Sequence, residues 1–174
     1  HARTLWALGE AISLAPNESI RELATQLFVD ALPAAHGFEY IRPWAYALIG
    51  VDEYLRGGGE HDAAKELRLK LSHRLFDTWR GNAAEDWPWW EDELTGGNAK
   101  IPQAMLAAGD SLDEREQVDA GLKALAWLLK VQTAPEGHIT VIGNDGWFVR
   151  GREPAKFDQQ PLEVHALIDA CLTA

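Results

Sequence analysis

The stretch from Asp86 to Glu93 combines two kinds of side chain that bind sugars. Three of the chain's 8 tryptophans, Trp87, Trp89 and Trp90, lie within four consecutive residues, and four carboxylates flank them. An indole face can stack on the C–H face of a sugar ring, while carboxylate oxygens accept hydrogen bonds from its hydroxyls. Because a proline interrupts the cluster and its spacing is neither helical nor strand-like, we expect some indoles to point away from any single core.

The same tryptophans are equally consistent with a structural role, as an aromatic plug that closes one end of a helical bundle. The sugar hypothesis requires accessible indole faces, because a ring enclosed by apolar side chains cannot stack on a ligand. Burial of these indoles in apolar packing, with no accessible concavity beside Asp158 and Arg150, would therefore contradict it. The tryptophans that fall on helical stripes are expected in the core instead; they are Trp6, Trp44, Trp79 and Trp127.

Length and composition limit the possible classes of protein. With 174 residues, 47% of them hydrophobic, the chain predicts one domain spanning 1–174. A net charge of −11 argues against a nucleic-acid partner. The single Cys171 rules out an internal disulfide and a thiolate zinc site, and it fits a cytoplasmic location. No apolar run is long enough to span a membrane, and the start at His1 predicts a fragment of a longer protein.

Apolar residues recur at three- and four-residue intervals in seven segments, which predicts seven helices. Short turns between such helices are typical of stacked antiparallel pairs, so we expect an all-α fold forming a partial α/α toroid or solenoid. The predicted helices are Arg3–Leu14, one capped by Asn17, one from Trp44 to Leu55, Glu60–Arg80, Asn98–Ala108, one opened by a Ser111/Glu114 capping box, and one from Gln160 onward.

One short β-hairpin is predicted near 138–150. The runs His138–Ile142 and Trp147–Val149 are rich in strand-forming residues, and Asn144-Asp145-Gly146 between them is typical of a tight turn.

Three interruptions of the helical pattern contain most of the polar candidates: 87–98, 137–151 and 158–163. Loops at one end of a rigid scaffold commonly carry binding residues, so we expect the three segments to converge on one mouth. The candidate ligand-binding residues are Trp87, Trp89, Trp90, Asn98, His138, Asn144, Trp147, Arg150, Asp158, Gln159 and Gln160.

Several of these candidates also have an ordinary structural explanation. Arg150 can donate a fork of hydrogen bonds to a ligand, but a salt bridge to Asp158 or Glu163 is slightly favoured. Asp158 can cap the last helix. The adjacent amides of Gln159 and Gln160 have no such explanation from helix propensity, so a hydrogen-bonding role is favoured for them.

Carboxylate pairs suggest a catalytic alternative. Glycoside hydrolysis needs two carboxyl groups about 5 to 9 Å apart. Glu91, Asp92, Asp158 and Glu163 can supply such a pair, although acidic residues are abundant throughout the chain. The histidines show no metal-ligand spacing, and no nucleotide-binding motif is present, so neither a metal site nor a cofactor is predicted.

Several motifs together resemble one family, the helical C-terminal domain attached to bacterial family-1-type glycosyltransferases. They are Trp87-Pro88-Trp89-Trp90-Glu91, Leu94-Thr95 with Asn98-Ala99, Ile101-Pro102-Gln103-Ala104, Gly143-Asn144 with Gly146-Trp147, Arg150-Gly151, and Phe157-Asp158-Gln159-Gln160-Pro161 with Glu163. The likeness covers most of 40–174 and implies a toroid-like fold related to the six-hairpin glycosidases. Gly96 and Gly97 depart from the family, where an aromatic and an acidic residue are usual, and this implies an inactive or altered pocket.

Three functions follow as expectations. The first is a carbohydrate-interacting domain accessory to a bacterial glycosyltransferase, with a sugar or oligosaccharide and the transferase's catalytic domain, in the same chain, as its partners. The second is a glycoside hydrolase, lyase or epimerase that uses paired carboxylates. The third is a protein–protein interface module, since exposed indoles are common at interaction hot spots.

Overall fold

A computed structural model describes all 174 residues and contains seven α-helices. This confirms the predicted all-α class with one small antiparallel pair of strands. None of the helices has the length and apolarity that a membrane span needs. The elements are α1 Ala2–Leu14, α2 Glu18–Ala31, a 3-10 helix Leu32–Gly37, α3 Ile41–Arg56, α4 Asp62–Asn82, β1 Glu93–Leu94, α5 Lys100–Ser111, α6 Arg115–Val131, β2 Phe148–Val149 and α7 Pro161–Thr173.

Local sequence signals explain some helix ends but not all of them. Asn17 caps α2 by accepting a hydrogen bond from the Ile20 N–H at 3.4 Å, and Pro161 opens α7. The predicted capping box is wrong, because Ser111 is the last residue of α5 and Glu114 precedes α6 without a side-chain cap bond. The tight turn between these two helices instead holds Asp113 in the left-handed region, at φ 57°.

The helices form two layers. The inner layer consists of α1, α3, α5 and α7, each packed on the next, and α2, α4 and α6 lie outside it. The inner helices run in the same direction, because contacts advance together along both partners. Arg3 meets Tyr46 and Ile12 lies beside Gly57 in the pair α1 and α3, and Lys100 meets Asp169 and Gln103 meets Thr173 in the pair α5 and α7. Each outer helix therefore returns the chain antiparallel to its inner neighbours, as the predicted helix pairs require.

This arrangement places every long connection at one end of the molecule. Connections that leave an inner helix are short, at 15–17, 57–61 and 112–114, whereas those that enter one are long, at 32–40, 83–99 and 132–160. The N-termini of the inner helices and the long loops thus share one end, which we call the loop end. Helix N-termini carry free N–H groups and partial positive charge, so the loop end favours hydrogen-bond acceptors.

The two strands join two of the long loops rather than forming the predicted hairpin. Glu93 pairs with Val149 and Leu94 with Phe148. In the predicted hairpin, 138–142 would have supplied the partner strand, but Ile139 makes only an isolated bridge to Thr133.

The reason lies in the backbone partners of the predicted turn. The Gly143 N–H donates to the Ala155 carbonyl at 2.8 Å, and the Ala155 N–H donates to the Trp147 carbonyl at 2.8 Å. The Asn144 N–H donates to the Asp158 carbonyl at 3.1 Å. Residues 143–147 are therefore hydrogen-bonded to 155–158, and residues 138–142 do not fold back along β2. The edge of β2 is left free, and β1 pairs with it.

Two glycines allow α1 and α3 to pack with their backbones in contact. A Cβ atom on Gly50 would lie 2.7 Å from the Trp6 backbone nitrogen and would overlap the Leu5 carbonyl. A Cβ atom on Gly9 would overlap the backbone of Gly50. Neither obstacle is a flexible side chain, so the two helices would have to separate to admit a methyl group.

We therefore predict that Gly50→Ala lowers the free energy of unfolding by about 1 to 3 kcal/mol, through overpacking. The matched control is Gly81→Ala in α4, where a Cβ atom meets nothing within 4 Å. At that position the better helix propensity of alanine should raise the free energy of unfolding by about 0.5 to 1 kcal/mol. Urea denaturation followed by circular dichroism measures both; equal effects at the two glycines would contradict the close packing of α1 on α3.

Candidate functional site

The three clustered tryptophans lie in the hydrophobic core. Trp87, Trp89 and Trp90 are 4%, 0% and 2% exposed. Trp90 packs on Trp79 of α4 with ring centroids 4.9 Å apart, and Trp87 packs edge-to-face on Trp127 of α6, also at 4.9 Å. The expectation that some of these indoles point away from the core is wrong, and none of the three presents a face to a ligand.

Burial of a contiguous cluster is possible because the segment is irregular and runs between two helices. Trp90 turns toward α4, where its indole N–H donates to the Leu75 carbonyl at 2.9 Å. Trp87 turns toward α6 and donates its indole N–H to the Glu91 carbonyl at 2.8 Å. With both polar atoms bonded to backbone oxygens, burial of these two rings leaves no donor unpaired.

A buried carboxylate ties the start of α7 to the segment before α5. Glu163, which is 3% exposed, accepts hydrogen bonds from the Gly97 N–H and from the Asn98 side-chain amide, the latter at 3.0 Å. The Asn98 backbone N–H adds a third bond at 3.3 Å. Glu163 stands in the first turn of its helix, where the helix dipole favours a negative charge.

Arg42, in the first turn of α3, extends this connection. Its guanidinium donates to Glu91 Oε2 at 2.6 Å, to Asn98 Oδ1 at 3.2 Å and to the Gly96 carbonyl at 2.7 Å. We call Arg42, Glu91, Asn98 and Glu163 the loop-end network. It brings together three of the predicted site residues through an arginine that the sequence analysis had not singled out.

Trp147 borders this network in an unusual backbone conformation. It is half-buried, and its φ of 56° lies in the left-handed region, which costs a non-glycine residue roughly 1 to 2 kcal/mol. A Cβ atom built on Gly96 would lie 4.0 Å from the Trp147 ring and 3.8 Å from Glu163 Oε1, with nothing nearer. The missing side chain at position 96 therefore leaves room for about one methyl group between an indole and a carboxylate.

Arg150 has partners other than the expected ones. Its guanidinium lies 3.2 Å from Asp86 and 3.7 Å from Asp92, and its backbone N–H donates to the Asp92 carbonyl at 2.8 Å. The predicted salt bridge to Asp158 or Glu163 is wrong, because the pairing of β1 with β2 carries Arg150 toward the tryptophan segment. Arg150 and Asp92 thus hold one long loop against another.

The remaining candidates form contacts of their own away from the loop-end network. Asp158 accepts a hydrogen bond from the Gln160 side chain at 2.7 Å and does not cap α7, whose first turn receives no side-chain bond. Gln159 donates to Thr140 Oγ1 at 3.0 Å. His138 is exposed and makes no side-chain hydrogen bond.

A groove of about 510 Å³ lies beside these residues, between 131–142 and 153–159, and Gln159 forms part of its wall. Asn144 joins this region through its backbone bond to Asp158. The predicted convergence of three interruptions is therefore correct for Glu91, Asn98, Glu163 and Trp147, but it does not extend to 158–160 or to His138.

Two residues near the loop end carry groups that sequence patterns did not reveal. Lys100, with no exposed surface, donates to Asp169 at 2.6 Å and to Gln103 at 2.9 Å, and it lies 4.1 Å from the centre of the Trp6 ring. The Tyr46 hydroxyl is buried without a hydrogen-bond partner. Burial raises the pKa of Tyr46 despite the opposing charge of Arg3, so the hydroxyl keeps its proton at neutral pH.

Each of the four candidate carboxylates has a bonding partner of its own. Glu91 is bonded to Arg42 and Glu163 to the Gly97–Asn98 amides, so the arginine and the asparagine stand between them. The other two, Asp92 and Asp158, are exposed and bonded to different partners. These contacts provide donors and acceptors for binding, and the hydrolytic pair of carboxylates stays a prediction.

Comparison with known proteins finds no matching family model, no matching curated protein and no matching solved structure. The resemblance to glycosyltransferase-associated helical domains therefore stays a prediction, and the functional argument depends on the geometry of this chain.

Because the clustered indoles are core residues, we predict that Trp90→Ala lowers the free energy of unfolding by about 3 to 5 kcal/mol. Phe157→Ala is the control, since this ring is 75% exposed, and we expect a change within about 0.5 kcal/mol. Guanidinium denaturation measures both. A small loss for Trp90→Ala would show that the ring is not enclosed by α4 and its own loop.

Proposed function

We propose that this chain is a carbohydrate-interacting helical domain, accessory to a bacterial glycosyltransferase in polysaccharide or glycoconjugate synthesis. The sugar binds at the loop end, against the Trp147 ring and next to the loop-end network. The single observation that carries the proposal is the half-buried Trp147 indole beside Gly96, with the Glu163 carboxylate also within 4 Å of the Cβ position of that glycine.

The side chains around Trp147 suit a polyhydroxyl ligand. A half-buried indole offers an apolar face for the C–H side of a sugar ring. Glu91 and Arg42 keep 34% and 20% of their side chains exposed, so an acceptor and a donor remain within reach of solvent. A sugar hydroxyl both donates and accepts, and it therefore finds partners in each.

Backbone strain at Trp147 adds support. A tryptophan at positive φ is uncommon, and such conformations cluster at sites where the surrounding structure holds a side chain in place for a purpose. Here the Trp147 carbonyl accepts a hydrogen bond from the Ala155 N–H, which fixes the strained residue to the next segment of the loop.

The proposal is narrower than the one the sequence indicated. Trp87, Trp89 and Trp90 no longer contribute, since they are enclosed in the core, so one indole carries the stacking role. The glycoside hydrolase, lyase or epimerase alternative has less support, because its candidate carboxylates are separately engaged. We further propose that a glycosyltransferase catalytic domain lies in the same chain and that the location is cytoplasmic. The exposed free thiol of Cys171 is consistent with that location.

The test is isothermal titration of the protein with a panel of oligosaccharides, compared with the Trp147→Ala variant. We expect at least about a tenfold loss of affinity, since an aromatic contact and its buried area both disappear. Phe157→Ala, which removes another loop aromatic, should bind as the wild type does, and circular dichroism checks that each variant is folded. Equal affinity with and without the Trp147 ring would contradict the proposed site.

The interface alternative has an observation of its own. Val164, Ile168 and Leu172 form one stripe along α7, and they are 41%, 55% and 82% exposed. A second stripe on α2 consists of Ile20, Leu23 and Leu27, also exposed. Apolar stripes on helices at both edges of the layers are typical of surfaces that meet a partner. If no oligosaccharide binds, this second function is the one that remains.

A further inference from the structure

A groove of about 370 Å³ runs between α1 and α7, next to the loop end. This volume falls in the lower part of the range for small-molecule sites, roughly 300 to 1,000 Å³. Five residues line the groove, and only Trp6 among them is a large apolar side chain; the others are Ala7, Glu10, His165 and Asp169. One aromatic ring surrounded by polar groups is the composition of a sugar position, not of a pocket for an apolar ligand.

Bonds to neighbouring residues hold the Trp6 ring in a fixed orientation. Its indole N–H donates to Glu10 at 2.9 Å, and the buried Lys100 ammonium lies 4.1 Å from the ring centre. The Tyr46 ring packs against it at 5.5 Å. A platform that is already fixed in place loses little conformational entropy when a ligand stacks on it.

On the other side of the groove, α7 supplies two polar side chains, His165 and Asp169. Asp169 is 26% exposed and is bonded to Lys100, and the imidazole of His165 lies 3.3 Å from the same carboxylate. Glu10 has no cation within 4 Å, so its carboxylate can accept hydrogen bonds from the ligand as well as from Trp6. Two carboxylates facing one groove disfavour an anionic ligand and suit neutral hydroxyls.

The groove and the site beside Trp147 both border α7, the first through His165 and Asp169 and the second through Glu163. Glu163 stands at the loop end, and Asp169 follows six residues later on the same helix, about 9 Å further along its axis. A ligand that reaches from the Trp147 indole to the Trp6 groove must therefore be longer than a single sugar ring.

We propose that the groove between α1 and α7 is a second sugar-binding position, with Trp6 as its platform, and that the ligand is a neutral oligosaccharide of two or more units. This inference rests on the proposed function, because the first unit is bound at Trp147. It adds a site, a further set of binding residues and a minimum length for the ligand.

Ala7 offers a test that removes no existing contact. Its side chain is exposed and lines the groove, so Ala7→Gln places a longer side chain in the space while the core is unchanged. Thr4→Gln is the matched control, because it introduces the same side chain at another exposed position of α1 that does not line the groove. Titrations use glucose and mannose and their neutral oligomers of two to four units.

In the wild type we expect affinity to rise about tenfold or more from one unit to the longer oligomers, as a second aromatic contact is added. Ala7→Gln should abolish this rise and leave the affinity for one unit unchanged, whereas Thr4→Gln should preserve both. In ¹⁵N spectra the Trp6 indole resonance, assigned with Trp6→Phe, should shift with the oligomers but not with the single sugars.

The possible failures are distinguishable. Equal affinity for one unit and for four, lost in Trp147→Ala, would overturn the second position and leave the proposed function standing. A length-dependent rise that survives in Ala7→Gln would also overturn it, because the extra units would then lie outside the groove. Binding of no sugar in the series would count against the proposed function and the second position together.

Discussion

Two charged side chains, Arg42 and Glu163, hold the starts of three inner helices in one place. Arg42 bonds the first turn of α3 to the tryptophan loop and to Asn98, while Glu163 bonds the first turn of α7 to the same asparagine. Charged groups that leave water need such partners, and a hydrogen bond to a charged group typically contributes about 1.5 to 3 kcal/mol. The groups that shape the candidate site are therefore also needed for the fold, and a ligand can use only their outer atoms.

The helices were predictable from the sequence because their signals are local, but the fate of the tryptophan cluster was not. Periodic apolar stripes predicted four tryptophans in the core, and Trp44 and Trp79 are buried there whereas Trp6 and Trp127 are only half-buried at its edge. Trp79 and Trp127 are the ring partners of the loop indoles. An irregular segment has no period of its own, so its burial depends on the helices beside it. The predicted hairpin failed for the same reason: the strand at Phe148 was found, but its partner, β1, lies more than fifty residues earlier in the chain.

Among the candidate residues near α7, the position on the helix decides which side chain points into the protein. Glu163 shares one face of α7 with the buried residues Leu167 and Ala170, at spacings of four and seven residues, so it points inward. Asp158 and Gln159 lie in the loop before the helix, and both are exposed. The sequence contained the signal for Glu163 in this spacing. It contained none for the guanidinium of Arg42, whose partners are supplied by a distant loop.

Charge at the loop end bears on whether the proposed ligand is neutral or anionic. Four parallel helix N-termini would by themselves attract negative charge. Here Glu163 occupies the free N–H groups before α5, and Asp169 neutralises the buried Lys100, so the attraction is satisfied within the chain. The part-exposed groups that remain include the side chains of Arg42, Glu91 and Asp169 and two half-buried indoles, Trp147 and Trp6. Under the proposed function, these donors, acceptors and apolar rings pair with the hydroxyl and C–H groups of a neutral sugar.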